Sequence, residues 1–216
     1  MPEECFFIMN INKFSPVTVF VGLPGSGKST FAAAITKQVL SLQKKGKNIK
    51  VFSNVPILGA YEYNFRQDFG HFEEFKDSII ILDEAGLDAC NRNWKDNLDD
   101  ESLEFLKKIR HANSKLICFS QTWDDFDVKI RDLTGMLYIL RRSIIPGFSV
   151  SIPIFKKIDV DEETHEFKEL YFKDHPILRL FTSIRIFRRK YYNMFDSWDM
   201  PNLPSKHFYT YEKGDI

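Results

Sequence analysis

Cysteine is scarce in this chain: among 216 residues only Cys5, Cys90 and Cys118 occur. They are far apart, odd in number and form no Cys-x-x-Cys or Cys/His pattern with the five histidines, which excludes a disulfide framework and a zinc site of ordinary spacing. The reading is a reduced, cytoplasmic setting, with Cys118 in an apolar run expected to be a small core hydrophobe. Long hydrophobic runs are also missing. No window approaches the ~20 apolar residues of a spanning helix, and the N-terminal Met1-Pro2-Glu3-Glu4-Cys5 is acidic where a secretory leader is basic. The chain is therefore expected to have no transmembrane segment of its own. Net charge is absent too, because 30 Lys and Arg balance 30 Asp and Glu. No global field draws polyanions, so any nucleic-acid surface must be local. No internal repeat or low-complexity tract is visible.

What is present is a globular composition of 44% hydrophobic and 15% aromatic residues, including 21 Phe. So many phenylalanines imply a thick core or an aromatic surface kept for partners, and composition leaves both open. The length fits one α/β domain with a modest appendage.

The run Gly22-Leu23-Pro24-Gly25-Ser26-Gly27-Lys28-Ser29-Thr30 matches the phosphate-cradling pattern Gly-x-x-x-x-Gly-Lys-Ser/Thr. Its context is the one the chemistry needs. Val17 to Val21 reads as a buried strand before it, and Thr30 to Gln43 carries Phe31, Ala34, Ile35 and Leu42 at helical spacing after it. Gly22, Gly25 and Gly27 are expected to permit backbone conformations closed to other residues, turning successive N–H groups into one anion-binding hollow at a helix N-terminus. Lys28 would reach the β- and γ-phosphates of ATP, and Ser29 would hold Mg²⁺.

A second strand is predicted over Ile49 to Asn54, and Gly59 to Lys76 reads as loop plus a short helix. Ser78 to Leu82 is the plainest buried strand, and it runs into Asp83-Glu84. A carboxylate at the C-terminal end of a parallel strand, expected next to the phosphate-loop strand, assigns Asp83 to Mg²⁺ and Glu84 to the attacking water as a Walker B pair. Asn91 to Asp100 reads as an exposed loop and Glu101 to His111 as an amphipathic helix ended by Arg110. Lys115 to Ser120 is a further strand, with Gln121 at its tip placed to sense the γ-phosphate. Motifs in this order point to the ATPases that carry an additional strand between Walker A and Walker B.

A short helix over Asp124 to Asp132 and a strand over Gly135 to Arg142 complete the expected core, residues 1–145. The remainder, 146–216, reads as an antiparallel hairpin, Phe148 to Asp159 with Phe167 to Phe172, and a basic aromatic extension packed on the core. Between Leu178 and Trp198, Arg179, Arg185, Arg188, Arg189 and Lys190 interleave with Phe181, Phe187, Tyr191, Tyr192 and Phe195. That mixture suits phosphate tracking and base stacking, or equally a basic amphipathic edge element with its aromatics in the core.

Taken together, the phosphate loop, Val51-Phe52-Ser53-Asn54-Val55-Pro56, Ile79 to Ala85, Arg110-His111, Ser120-Gln121 and Arg131 resemble the zonular occludens toxin (Zot) family, the assembly ATPases of filamentous phages. The resemblance covers about residues 16 to 142, and Tyr191-Tyr192-Asn193 loosely echoes the family's trailing tyrosines. It implies an α/β P-loop NTPase of the additional-strand (ASCE), RecA-like class within the FtsK/HerA superfamily, with a mainly parallel central sheet. It further implies a ring-forming ATPase that moves DNA in virion export or genome packaging. Arg110 looks like the superfamily's arginine supplied to a neighbour's site; Arg131 and Arg141 are weaker candidates. Filamentous-phage members continue into a transmembrane helix and an outer domain that are not found here. Three expectations follow: a complete protein that docks peripherally on viral coat or membrane assembly proteins, a packaging ATPase of another virus type in the host cytoplasm, or a shortened form of a longer chain. Two other classes fit the phosphate loop, a P-loop small-molecule kinase and a nucleotide-gated scaffold that recruits viral or membrane proteins.

Overall fold

The computed structural model describes residues 9–83, 100–126, 128–160, 167–173 and 182–195, with the backbone alone described for 155–160 and 167–173. Glu84, Cys5, Cys90 and the loop expected over 91–99 lie outside the described residues.

A 3₁₀ turn η1 (Ile11–Lys13) precedes strand β1 (Val17–Val21), which leads through the glycine loop into helix α1 (Lys28–Lys44). Then come β2 (Lys50–Ser53), β3 (Tyr61–Glu62), a one-turn helix α2 (Phe65–Asp68), the 3₁₀ turn η2 (Glu73–Phe75) and β4 (Ser78–Leu82). Helix α3 (Asp100–Lys108), β5 (Lys115–Ser120), α4 (Val128–Leu133) and β6 (Met136–Arg142) follow. The chain then forms β7 (Phe148–Val160), β8 (Phe167–Lys173), β9 (Ile184–Phe187) and the 3₁₀ segment η3 (Arg188–Met194). The irregular stretch from Gly59 to Lys76 thus holds a short edge strand in addition to the expected helix.

All nine strands share one sheet in the order β3-β2-β4-β5-β1-β6-β7-β8, with β9 also paired to β7. Neighbours from β3 to β6 run parallel, and β7 joins β6 antiparallel with Leu137 opposite Ile154 and Arg142 opposite Ser149. One expectation is corrected here: β4 is not next to the phosphate-loop strand. β5 lies between them, paired to β1 on one side and β4 on the other. The polar tip of β5 therefore sits between the phosphate loop and Asp83.

Alternation along the strands sorts side chains to two faces. Phe20, Ile79, Ile81, Ile117, Phe119, Tyr138 and Leu140 pack beneath α1, whose Phe31, Ala32, Ala33, Ile35 and Val39 are buried. The alanines let the helix lie close over the sheet. On the other face Val17, Val19, Ile80, Leu82, Leu116 and Cys118 meet Leu106 and Ile109 from the α3 region and the aromatic cluster Phe65, Phe69, Phe75 and Phe126. Cys118 is fully buried, and burial pushes its thiol up out of the reactive range. Most described phenylalanines are therefore core. The α1 face centres on Phe20, stacked between Phe119 at 5.0 Å and Tyr138 at 4.8 Å. No helix among the described residues is long and apolar enough to cross a membrane.

Phe20→Ala removes the middle ring of this stack one residue before the loop's strand ends. It is expected to destabilise the fold by about 3–5 kcal/mol, read as a lowered denaturant midpoint with an unchanged m-value.

Candidate active site

The loop between β1 and α1 turns because two of its glycines occupy the left-handed region, Gly25 at φ +74° and Gly27, the N-cap of α1, at +105°. Gly22 is different from what its place in the motif predicted. It has no positive φ, but a Cβ there would lie 2.6 Å from the Ser26 hydroxyl and 2.8 Å from Leu140 Cβ, so close approach requires it. Phe31 N–H closes the first helical bond to the Gly27 carbonyl at 2.9 Å, leaving the N–H groups of Lys28, Ser29 and Thr30 at the helix start for an anion. The Ser26 hydroxyl is buried in the loop and has no hydrogen-bond partner among the described residues. A phosphate oxygen fits that arrangement of donors and small residues.

The Lys28 ammonium donates to the Gly22 carbonyl at 3.0 Å, crossing the loop. Ser29 Oγ donates to Asp83 Oδ2 at 3.3 Å, so the two residues expected to hold Mg²⁺ are in contact although 54 positions apart. Asp83 is buried, and its backbone is fixed by Asn54, whose amide nitrogen donates to the Asp83 carbonyl at 2.9 Å while its amide oxygen accepts from the Asp83 N–H at 2.8 Å. In the sequence Asn54 stands only as part of a strand end. Its role, clamping the tips of β2 and β4, shows only once those strands pair.

Gln121 is exposed at the tip of β5, where the Gly22 N–H donates to the Ser120 carbonyl at 3.0 Å. Asp125 pins this tip, accepting from Ser120 Oγ and from the Thr122 N–H at 3.0 Å. Burial raises the Asp125 carboxyl, but the bonds from Ser120, Thr122 and Gln121 outweigh it and hold the group below its ordinary value. A groove of about 540 Å³ opens beside the loop, lined by Gly22, Leu23, Ser26, Gln121 and Arg141 among others.

Arg110 is exposed in the turn after α3, just before β5 begins. The phosphate loop lies where the parallel strands end, so Arg110 sits at the opposite edge of the sheet, roughly 17 Å away for strands of five or six residues. It is not brought to its own chain's nucleotide loop. Arg131 is engaged within the chain, 3.5 Å from Asp124. An arginine that sequence reasoning did not single out, Arg142, touches the loop instead, its Nε donating to the Gly25 carbonyl at 2.9 Å.

Strand, glycine loop and helix, a buried acid facing the loop's serine, and an intervening strand with a polar tip together define a P-loop NTPase of the additional-strand class. Residues 18–140, more than half of the chain, match the profile of the ATPase family associated with various cellular activities (AAA). The chain belongs to that family and is an ATP hydrolase. The N-terminal domain of zonular occludens toxin from Neisseria meningitidis has a similar fold, with a TM-score of 0.55 at 17% identity over 85% of this chain and 100% of that one. The genome packaging NTPase B204 from Sulfolobus turreted icosahedral virus 2, in complex with ATP-gammaS, is 12% identical over 74% of this chain and 98% of its own, with a TM-score of 0.45. None of the curated proteins compared with the chain matches it.

Asp125→Ala is expected to free the β5 tip and lower kcat about tenfold through misplacement of Gln121, with little change in the KM for ATP. Because the folded carboxyl lies below its ordinary 3.8, its stabilisation is present above that pH and lost as pH falls through the folded value. An acid melt of wild type against Asp125→Ala should therefore converge only at the acid end.

Proposed function

We propose that this chain is an oligomeric, Mg²⁺-dependent ATPase that couples hydrolysis to DNA movement in virion assembly, export or genome packaging. The observation that carries the oligomeric part is the placement of Arg110, exposed and at the sheet edge opposite the phosphate loop. An arginine there can act only on a neighbour's nucleotide. The viral part is supported by the motif order shared with the Zot family and by the fold of the Zot N-terminal domain. The basic aromatic extension supplies the local charge that a neutral chain needs to meet DNA, with Arg189, Lys190 and Tyr192 exposed on η3.

In this reading residues 1–145 form the ATPase core and 146–216 the extension. Leu23, Pro24 and Ser26 shape the turn, and the N–H groups from Gly27 to Thr30 bind the phosphates. Lys28 moves from the Gly22 carbonyl to the β- and γ-phosphates. Ser29 and Asp83 hold Mg²⁺, which when bound offsets charge on the phosphate oxygens. Glu84, next after Asp83, accepts the proton of the attacking water, Gln121 orients that water, and a neighbour's Arg110 stabilises the charge that develops on the transferred group. The protein works in the cytoplasm, or at the inner face of the membrane through viral coat or membrane partners.

Glu84→Gln should leave ATP binding intact and cut turnover by about 10²–10⁴-fold; wild-type turnover in that variant would remove Glu84 from its role. Arg110→Ala should bind ATP normally and lose about 10³-fold or more in turnover. Mixing it with a Glu84→Gln chain should restore part of the activity, because intact sites re-form between unlike subunits. Native mass measurement with and without ATP and DNA tests the assembly directly: a monomer under all conditions, with no DNA stimulation, removes the motor. Phosphate transfer to a small acceptor would indicate the kinase alternative.

A further inference from the structure

The phosphate loop is held from outside by the C-terminal strands. Arg142 Nε donates to the Gly25 carbonyl at 2.9 Å, Arg188 Nη2 donates to the same carbonyl at 3.3 Å, and Ser149 Oγ donates to the Ser26 carbonyl at 2.8 Å. These residues come from β6, β7 and the start of η3, and sheet register gathers them. Arg142 pairs with Ser149 across β6 and β7, Ser149 pairs with Ile186 across β7 and β9, and the Arg188 N–H is fixed by the Gly147 carbonyl at 2.8 Å. The fit leaves no slack: a Cβ on Gly25 would lie 2.4 Å from Arg142 Nη2, and one on Gly27 would lie 2.3 Å from Ser149 Oγ.

A peptide group points its carbonyl and its N–H in opposite directions. Turning the Ser26 carbonyl out to Ser149 therefore aims the Gly27 N–H into the loop. Pulling the Gly25 carbonyl out to the guanidinium groups removes a negative dipole end from the same hollow. The arginines gain little from each other: two cations converge on one neutral carbonyl, and among the described residues neither forms an ion pair. A polyphosphate in the loop supplies the missing negative charge.

We propose that Arg142, Arg188 and Ser149 form a latch that positions the ATP-binding loop and links it energetically to the β9–η3 segment. The proposal rests on the loop being the ATP site. Linkage is reciprocal, so bound nucleotide firms the β9–η3 contact as much as the contact firms the loop. Arg188 then faces inward to the loop, while Arg189 and Lys190, next in the chain, remain exposed. One basic segment is in touch with the nucleotide site and with solvent.

The test uses the full chain, with ATPγS affinity by calorimetry, steady-state kinetics, melting temperature and amide hydrogen exchange. The Arg142→Ala/Arg188→Ala variant is expected to bind ATPγS about tenfold or more weakly, with KM rising in step and kcat within about threefold of wild type. ATPγS should slow exchange over residues 184–194 in wild type and fail to do so in the variant. Affinity within twofold of wild type in a variant that melts normally overturns the latch. So does protection of 184–194 that survives the substitutions, or a fall in kcat with affinity intact. Ser149→Ala, which removes one hydrogen bond and no charge, covers the case in which the double variant does not fold. It should weaken binding about threefold, and unchanged binding overturns the proposal. A wild-type chain that binds no ATPγS would instead overturn the ATP-site reading itself.

Discussion

The organisation of the site depends on one backbone requirement: between β1 and α1 the N–H groups must face inward together while the carbonyls face out. L residues with side chains resist that geometry, and left-handed glycines at 25 and 27 make it available. Everything around the loop answers the requirement. The helix that begins at Lys28 is drawn close to the sheet by Ala32, Ala33 and Ala34, so its N-terminus is held over the end of β1 by packing instead of by a side-chain cap, which Gly27 cannot provide. The outward Ser26 carbonyl is buried and needs a donor, because a buried carbonyl without one is costly, while the Gly25 carbonyl lies at the surface. Ser149 on β7 meets that need, and Arg142 on β6, the neighbour of β1, and Arg188 on η3 bind the Gly25 carbonyl.

The same reasoning extends to the acid. Asp83 follows β4, two strands from β1, and meets Ser29 across the tip of β5. This buried carboxyl is held in one place through the main chain. Asn54 exchanges both its donor and its acceptor with the Asp83 backbone, extending the β2 to β4 pairing by one side-chain rung. From that position Asp83 Oδ2 accepts from Ser29 at the start of α1.

Much of this was legible in the residues. The phosphate loop, the run Ser78 to Leu82 ending in Asp83, and the hairpin of β7 and β8 follow from local pattern, because glycine spacing, continuous apolar runs and alternation are properties of adjacent residues. The strand between β1 and β4 follows from motif order, although Asp83, expected on the strand next to β1, lies one strand farther out. What could not be read was anything set by long-range register. Arg142, Ser149 and Arg188 have no common motif, and they meet only because β7 turns back along β6 and β9 pairs with β7. Gly22 looked like a conformational glycine and is a steric one, a distinction that depends on Leu140 from β6. The short strand Tyr61–Glu62 was hidden because two residues are too few to show a period.

The two edges of the sheet constrain how copies of the chain can cooperate. Parallel strands put the proposed nucleotide-binding groups from Gly22 to Asp83 at the end where strands finish, and the turn carrying Arg110 at the end where they begin. An isologous pair could place Arg110 at the partner's loop only if both ends of the strands lay within one self-complementary patch. With Arg110 and the loop at opposite ends of the strands, a head-to-tail, heterologous contact brings one chain's arginine to the next chain's loop directly. Such a contact either closes into a ring or grows without end. The proposed motor thus depends on rotation between neighbours as well as on the residues of the site. The β6–β9 strands lie beside the phosphate loop and lead into η3, whose Arg189 and Lys190 are exposed.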